Sequence, residues 1–428
     1  MIWHFSSAED VKGRNVTSTN DLSVTRPNLP GWRWIPLLFG TLLSVSVYYL
    51  DYTSGFHEGT SESSSSFAMP MRFIGVLLIA ASLAPFRARP QPAMLLILLY
   101  VAAGFSYGLA AGFIGVPNDQ LFFNTVIQLP VLFAASHTRW RIDEARWLRF
   151  IGHCLIAEAA IDTMVLFFGQ TLWISQAFVG GFGNPSSFGL SCVLLSAFFL
   201  FHPRAGRLRG AKAIVLAIAA LMTKSLFSAL SVLVIAVVWA TQSWRRFIAG
   251  SFLFLAAVGG GGWYLSTLEH EAFLIHKLNA AGAFIGLVDY DTDSSATVSV
   301  RSEMHATTFN AIADDPASLV IGHLGHRVYW PIDSQVLTYL GSFGVGMLFL
   351  FLMLHVLWVV YAFRHRKSDG KFSFVALGLF GLIFFTNRIL DYFPVATLYF
   401  ICIAMATRSH LRPSPASVGR QEVLRHPG

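Results

Sequence analysis

From Trp32 to Thr407 the chain returns repeatedly to stretches of about 20 mostly apolar residues, the length that crosses the hydrocarbon of a bilayer. Such a chain has to satisfy its backbone polar groups within helices, because hydrocarbon offers no hydrogen-bonding partner. The expected fold is therefore an all-α polytopic membrane protein. Spans fall near 33–50, 69–86, 93–113, 119–136, 149–169, 187–202, 211–223, 225–241, 247–265, 335–362, 372–387 and 391–406. Only 12% of the residues are charged, about half the share of a soluble domain. A cytosolic enzyme is excluded on that ground.

Topology follows from the charges. The doubtful stretch is AKAIVLAIAALMTKSLFSALSVLVIAVVWAT (211–241), which reads as one long helix interrupted by Lys224 or as two short crossings. The loop before it, PRAGRLRGAK, and the two basic loops after it, QSWRR and RHRKSDGK, belong on one face by the positive-inside rule, which requires two crossings that turn at Lys224. The organisation is then a polar cytoplasmic tail (1–31), nine spans (32–265), a large outer loop (266–334), three spans (335–407) and a second cytoplasmic tail (408–428). Within the outer loop, EHEAFLIHKLNAAGAFIGL (269–287) suits a helix lying on the membrane surface, so the loop is expected to form a small helical cap. The formal charge of +7 reads as loop asymmetry, and no nucleic-acid partner is expected.

Metal and disulfide chemistry find little support. Cys154, Cys192 and Cys402 lie singly inside apolar runs, without the spacing of a zinc site or a disulfide framework. Asp289, Asp291 and Asp293 alternate in DYDTDSS but lack the spacing of a calcium loop, and a solvated turn is the preferred reading. No metal or other cofactor is expected.

In this topology all but six of the 30 Lys and Arg lie on the inner side. The six are Arg72, Lys224, Lys277, Arg301, Arg327 and Arg388. Most acids face outward, so these cations call for an explanation. Arg72 and Lys277 suit interfacial binding of anionic lipid. Lys224 is placed to satisfy C-terminal carbonyls at a helical turn or to bind an anion. Arg388 is placed to pair with Asp391, to snorkel, or to serve a site. Glu158 and Asp162, four residues apart in the fifth span with His153 on a nearby turn, are costly in hydrocarbon unless they face the bundle interior and find partners. The outer cations are the expected partners, and a structural salt bridge, catalysis and a proton relay all stay open.

The segment VRSEMHATTFNAIADDPASLVIGHLGHRVYWPIDSQVLTYLGSFGVG (300–346) carries an Arg on a short helix, a turn at Asp315-Pro316, a Gly-rich bend and a polar DSQ that opens a span. This order resembles the bacterial O-antigen polymerase and ligase superfamily. Arg301, Gly322 with Gly325, Asp333-Ser334 and Gly344 look like its elements. GFGNPSSFG (181–189) resembles the family's loop before a middle helix, and MTKSLFSAL (222–230) its short hairpin. The resemblance covers roughly residues 150 to 407. The chain length and the WRWIPLL opening are similar to the exopolysaccharide polymerases of xanthan type.

What the resemblance implies is transfer of glycan between polyprenyl-diphosphate-linked oligosaccharides, donor and acceptor alike, at the periplasmic face of the inner membrane. Fixed guanidinium donors stabilise the charge that develops on a diphosphate leaving group. Arg301, Lys224 and Arg388 are the expected cations, with Arg327 a fourth. The acceptor hydroxyl needs a base; Asp333 is favoured, with His326 second and His323 close by. The family's ligases carry a His where this chain has Asp333, which weakens the ligase reading. Ligation to another acceptor and a lipid-linked oligosaccharide flippase are the alternatives. Chain-length regulators and export proteins are the partners implied, besides membrane lipid.

Overall fold

The computed structural model describes residues 29–53, 68–83, 142–170, 172–173, 176–243, 334–364, 370–390 and 393–410, with a few isolated positions between 248 and 320. Among the described residues every regular element is helical and no strand occurs. The α-helices, in chain order, are α1 (Gly31–Ser46), α2 (Tyr48–Thr53), α3 (Ala68–Leu83), α4 (Glu144–Phe167), α5 (Pro185–Phe201), α6 (Arg209–Met222), α7 (Leu226–Ala240), α8 (Gln335–Arg364), α9 (Gly370–Thr386) and α10 (Phe393–His410). The expected spans at 93–113, 119–136 and 247–265, the segments 1–28 and 411–428, and nearly all of the 266–334 loop lie outside the described residues.

Among the described residues, helices stand where the apolar runs were read, with three differences. The run at 33–50 divides at Val47, where the amide of Leu50 bonds the carbonyl of Val47. Just before it the hydroxyls of Thr41 and Ser44 bond back to Leu37 and Gly40, a contact that bends helices. Helix α4 begins at Glu144, five residues earlier than the apolar run, because the Asp143 carboxylate accepts the amide of Arg146 and caps the first turn. Helix α8 is broken at Gly344, whose φ of 77° and ψ of 177° suit glycine alone.

The chain turns at Lys224 between α6 and α7. Lys224 takes a left-handed backbone (φ 53°) and donates its amide to Leu221. The Ser225 side chain then caps α7 by accepting the amide of Ser228.

Helix α5 is the centre of the bundle. It is apolar nearly all round and almost wholly buried, which a helix of that kind has to be. Two of its serines find carbonyls: Ser191 bonds Ser187, and Ser196 reaches the carbonyl of Ala213 on α6. Phe198 packs edge-on against Phe372 at the start of α9, so α9 runs antiparallel to α5. Helices α1 and α3 are antiparallel as well, with Arg33 at the start of α1 donating to Ser82 near the end of α3. They cross where a Cβ on Gly75 would stand 2.6 Å from the Gly40 carbonyl oxygen, an approach only small residues permit.

By length and composition, Glu144–Phe167 and Gly344–Arg364 are able to cross a membrane, and shorter apolar helices stand beside them. At 24 residues, α4 is about 36 Å long, against roughly 30 Å of hydrocarbon. The exterior is equally apolar: Ile35, Phe167 and Phe349 are 72%, 84% and 66% exposed, an extent of open apolar surface that water does not favour.

The close α1–α3 crossing predicts that Gly75→Ala destabilises the bundle by about 1–3 kcal/mol through overpacking. The expected readout is a lower thermal unfolding midpoint of the purified protein in detergent. An unchanged midpoint would contradict the crossing.

Candidate functional site

Glu158 and Asp162 lie one turn apart on the buried face of α4, 2% and 0% exposed. Their acceptor atoms are taken by the loop that leads into α5. Asp162 Oδ2 accepts the amides of Val179 and Gly180, both at 2.8 Å, and its Oδ1 accepts the Tyr49 hydroxyl at 2.7 Å. Glu158 Oε2 accepts the amide of Gly181 at 3.1 Å, and its Oε1 accepts the Ser46 hydroxyl at 2.6 Å. Two carboxylates thereby receive three consecutive amides and two hydroxyls, which offsets the desolvation of groups that would otherwise be expensive at this depth.

The loop sequence explains why the chain takes this path. Gly180 and Gly183 hold positive φ of 56° and 69° around a single turn of 3-10 helix, Gly180–Phe182. Gly181 lies so close to α1 that a Cβ there would stand 2.2 Å from Ser46 Cα. Arg72 of α3 donates to the carbonyls of Phe182 (2.7 Å) and Gly181 (3.4 Å), so the loop's acceptors are engaged as its donors are. Asn184 closes the motif by capping α5 at the amide of Ser187, with Pro185 in the first helical turn.

The same loop meets the Lys224 turn, where Phe178 donates its amide to the carbonyl of Met222 at 3.1 Å. Gly189 of α5 lies against Thr223 and Ser228 on either side of Lys224. Lys224 itself is half-buried.

The start of α8 is held to the turn between α9 and α10. Ser334 Oγ donates to the carbonyl of Phe384 (3.3 Å) and accepts the amide of Leu337. Gln335 is fully buried, and its Oε1 accepts the amide of Leu390 at 3.0 Å. Arg388, half-buried, belongs to this turn. Because α9 runs antiparallel to α5, the Arg388 turn, the Lys224 turn and the 179–183 loop occupy one end of the bundle.

Of the residues singled out from sequence, Lys224, Arg388, Glu158 and Asp162 are described and share that end. Arg301, His323, His326, Arg327, Asp333, Asp391, Lys277 and the DYDTDSS acids lie outside the described residues. The hydrogen bonds given to Glu158 and Asp162 come from Ser46, Tyr49 and backbone amides, and Arg72, one of the six outer cations, acts on Glu158 through its charge. Arg72 grips loop carbonyls. His153 faces Lys212 of α6, with Nε2 2.8 Å from Nζ, on a different face from Glu158.

Sequence reasoning missed Ser46, Tyr49 and Gln335. The Gly-Gly-Phe-Gly run was the available signal for the loop, since such spacing marks backbone that a helix cannot supply. No family model matches the chain, and no curated protein matches it in sequence.

The carboxylate-held loop predicts that Tyr49→Phe costs about 1 kcal/mol and Asp162→Ala at least 1–3 kcal/mol, since the latter leaves buried amides unpaired. Thermal unfolding of single and double variants should reveal coupling between the two positions. Strict additivity would contradict the shared bond.

Proposed function

We propose that the protein is a glycosyltransferase that polymerises polyprenyl-diphosphate-linked oligosaccharide repeats into exopolysaccharide at the periplasmic face of a bacterial inner membrane, without a metal. In this reading the chain crosses the bilayer twelve times with both termini cytoplasmic. The observation that carries it is that two cation-bearing turns, at Lys224 and Arg388, lie at the same end of an apolar bundle, opposite the Phe198–Phe372 contact. That end also holds the start of α8, directly after Asp333. The resemblance of 150–407 to the O-antigen polymerase and ligase superfamily supplies the substrate class.

The chemistry asks for three functions. A hydroxyl of the acceptor glycan forms a bond to the anomeric carbon of the donor as the bond from that carbon to the diphosphate oxygen breaks. The electron pair leaves with polyprenyl diphosphate, and Arg301, Lys224, Arg388 and Arg327 stabilise the charge it gains. The hydroxyl proton passes to Asp333, or to His326, while His323 contacts the glycan. Glu158 and Asp162 act from behind, by fixing the 179–183 loop against which the Lys224 turn rests. Chain-length regulators and export proteins are the partners this activity calls for.

Reconstitution of the purified chain with a defined lipid-linked oligosaccharide tests the reading. A ladder of products on a gel, retained in EDTA, is expected. One transfer to a different acceptor would indicate the ligase, and movement of the intact substrate across the bilayer without any product would indicate a flippase. Loss of the ladder in EDTA with restoration by Mg would refute the metal-free mechanism.

Arg301→Ala is expected to leave an inserted protein whose unpolymerised substrate accumulates on the periplasmic leaflet, and accumulation on the cytoplasmic leaflet would favour transport instead. Lys224→Gly removes the charge and relieves the left-handed backbone together. It should lower turnover by about 10²–10³ while stability holds or rises by about 1 kcal/mol. Full activity in that variant would remove Lys224 from the site.

A further inference from the structure

The opposite end of the bundle carries a second charged cluster that glycan transfer does not use. Asp143, the cap of α4, is shared between two guanidiniums: Arg149 Nη2 stands 3.9 Å and Arg204 Nη1 3.7 Å from its carboxylate oxygens. All three side chains are between a third and a half exposed, so these pairs are weak. One turn along α4, His153 Nε2 lies 2.8 Å from Lys212 Nζ. An ammonium only donates, so the imidazole supplies the lone pair and leaves the Lys212 charge uncancelled. Lys212 also lies over the Phe199 ring, 5.5 Å from its centroid, which fixes where the amine points. Among the described residues, Arg149, Arg204 and Lys212 thus gather in the space between α4 and α6, with Asp143 shared by the two arginines.

Directly beside them the loop into α6 presents Leu208, 76% exposed and in a left-handed backbone with φ 54°. A leucine in that conformation costs about 1–2 kcal/mol, and water around its side chain would add to the cost. The apolar surface continues up the Leu208 side of α6 through Val215 and Ile218, 42% and 54% exposed. Cations at the rim with an apolar strip above them match an amphiphile that has an anionic head.

We infer that Arg149, Arg204 and Lys212 form a binding site for the phosphate of an anionic phospholipid, with Leu208 inserted beside its acyl chains along α6. The charge surplus complements the phosphodiester, and the exposed strip takes the tails. The site is independent of the polymerase reading and survives its failure.

The test uses the purified full chain in a neutral detergent, titrated with phosphatidylglycerol and followed by native mass spectrometry. Phosphatidylcholine and millimolar inorganic phosphate form parallel arms. Each basic residue near a membrane surface is worth about fivefold in affinity, so the double variant Arg149→Gln with Lys212→Gln should bind phosphatidylglycerol about 25-fold more weakly. Phosphatidylcholine should bind far more weakly than phosphatidylglycerol, and inorganic phosphate should leave the lipid in place. Should the double variant fail to fold, Arg204→Gln in the loop is expected to weaken binding about fivefold.

Equal phosphatidylglycerol binding by wild type and variant would overturn the inference. Equal binding of phosphatidylcholine would reduce the site to apolar adhesion, and displacement by phosphate would reduce it to a simple anion site. Either result overturns it too.

Discussion

Three consecutive backbone amides have no helical partner where the chain passes from α4 to α5, and they lie buried inside the bundle. Glu158 and Asp162 take all three. Backbone that leaves the helical path inside an apolar environment is tolerated only where protein groups replace the missing bonds, and here two carboxylates do so. The exchange works in both directions. The carboxylates find partners for charge that would be costly in isolation, and the loop becomes a fixed platform where an open coil would expose its amides.

Much of that end of the bundle follows from the platform. Arg72 draws the loop carbonyls to α3, Tyr49 and Ser46 draw the carboxylates to the first helical hairpin, and Phe178 holds the Lys224 turn through the carbonyl of Met222. A separate bond from Gln335 to Leu390 fixes the Arg388 turn to the start of α8. In each turn the cation is carried on backbone held by hydrogen bonds from neighbouring elements. Such preorganisation is what a site needs if it is to stabilise developing charge without reorganising at the moment of reaction. The opposite end is built differently, from exposed side chains on helix termini, which suits a reversible lipid contact.

Hydropathy and charge reveal the helices because burial and the positive-inside bias act on side chains, which the sequence states directly. The break at Lys224 was legible in the same way, from a charged residue interrupting an apolar run between basic flanks. Glu158 and Asp162 could be recognised as special from the cost of ionisable groups in hydrocarbon. Their partners could not, because a backbone amide has the same identity at every position and leaves no sequence signature. Gly181 shows the same limit: its role depends on how closely Ser46 approaches, a distance between segments more than a hundred residues apart. The division at Val47 and the early start of α4 at Asp143 were likewise hidden, since both arise from local hydrogen bonds that hydropathy does not weigh. The pairing of His153 with Lys212 was hidden too, because the face that carries it is set by packing.

The most direct measurement is an electron cryomicroscopy structure of the full chain bound to a polyprenyl diphosphate. The account predicts the diphosphate between the Lys224 and Arg388 turns, with Arg301 brought to the same phosphates and the lipid tail leaving along the apolar exterior. A diphosphate seated at the Arg149–Lys212 end, or bound out of reach of both Lys224 and Arg388, would contradict it.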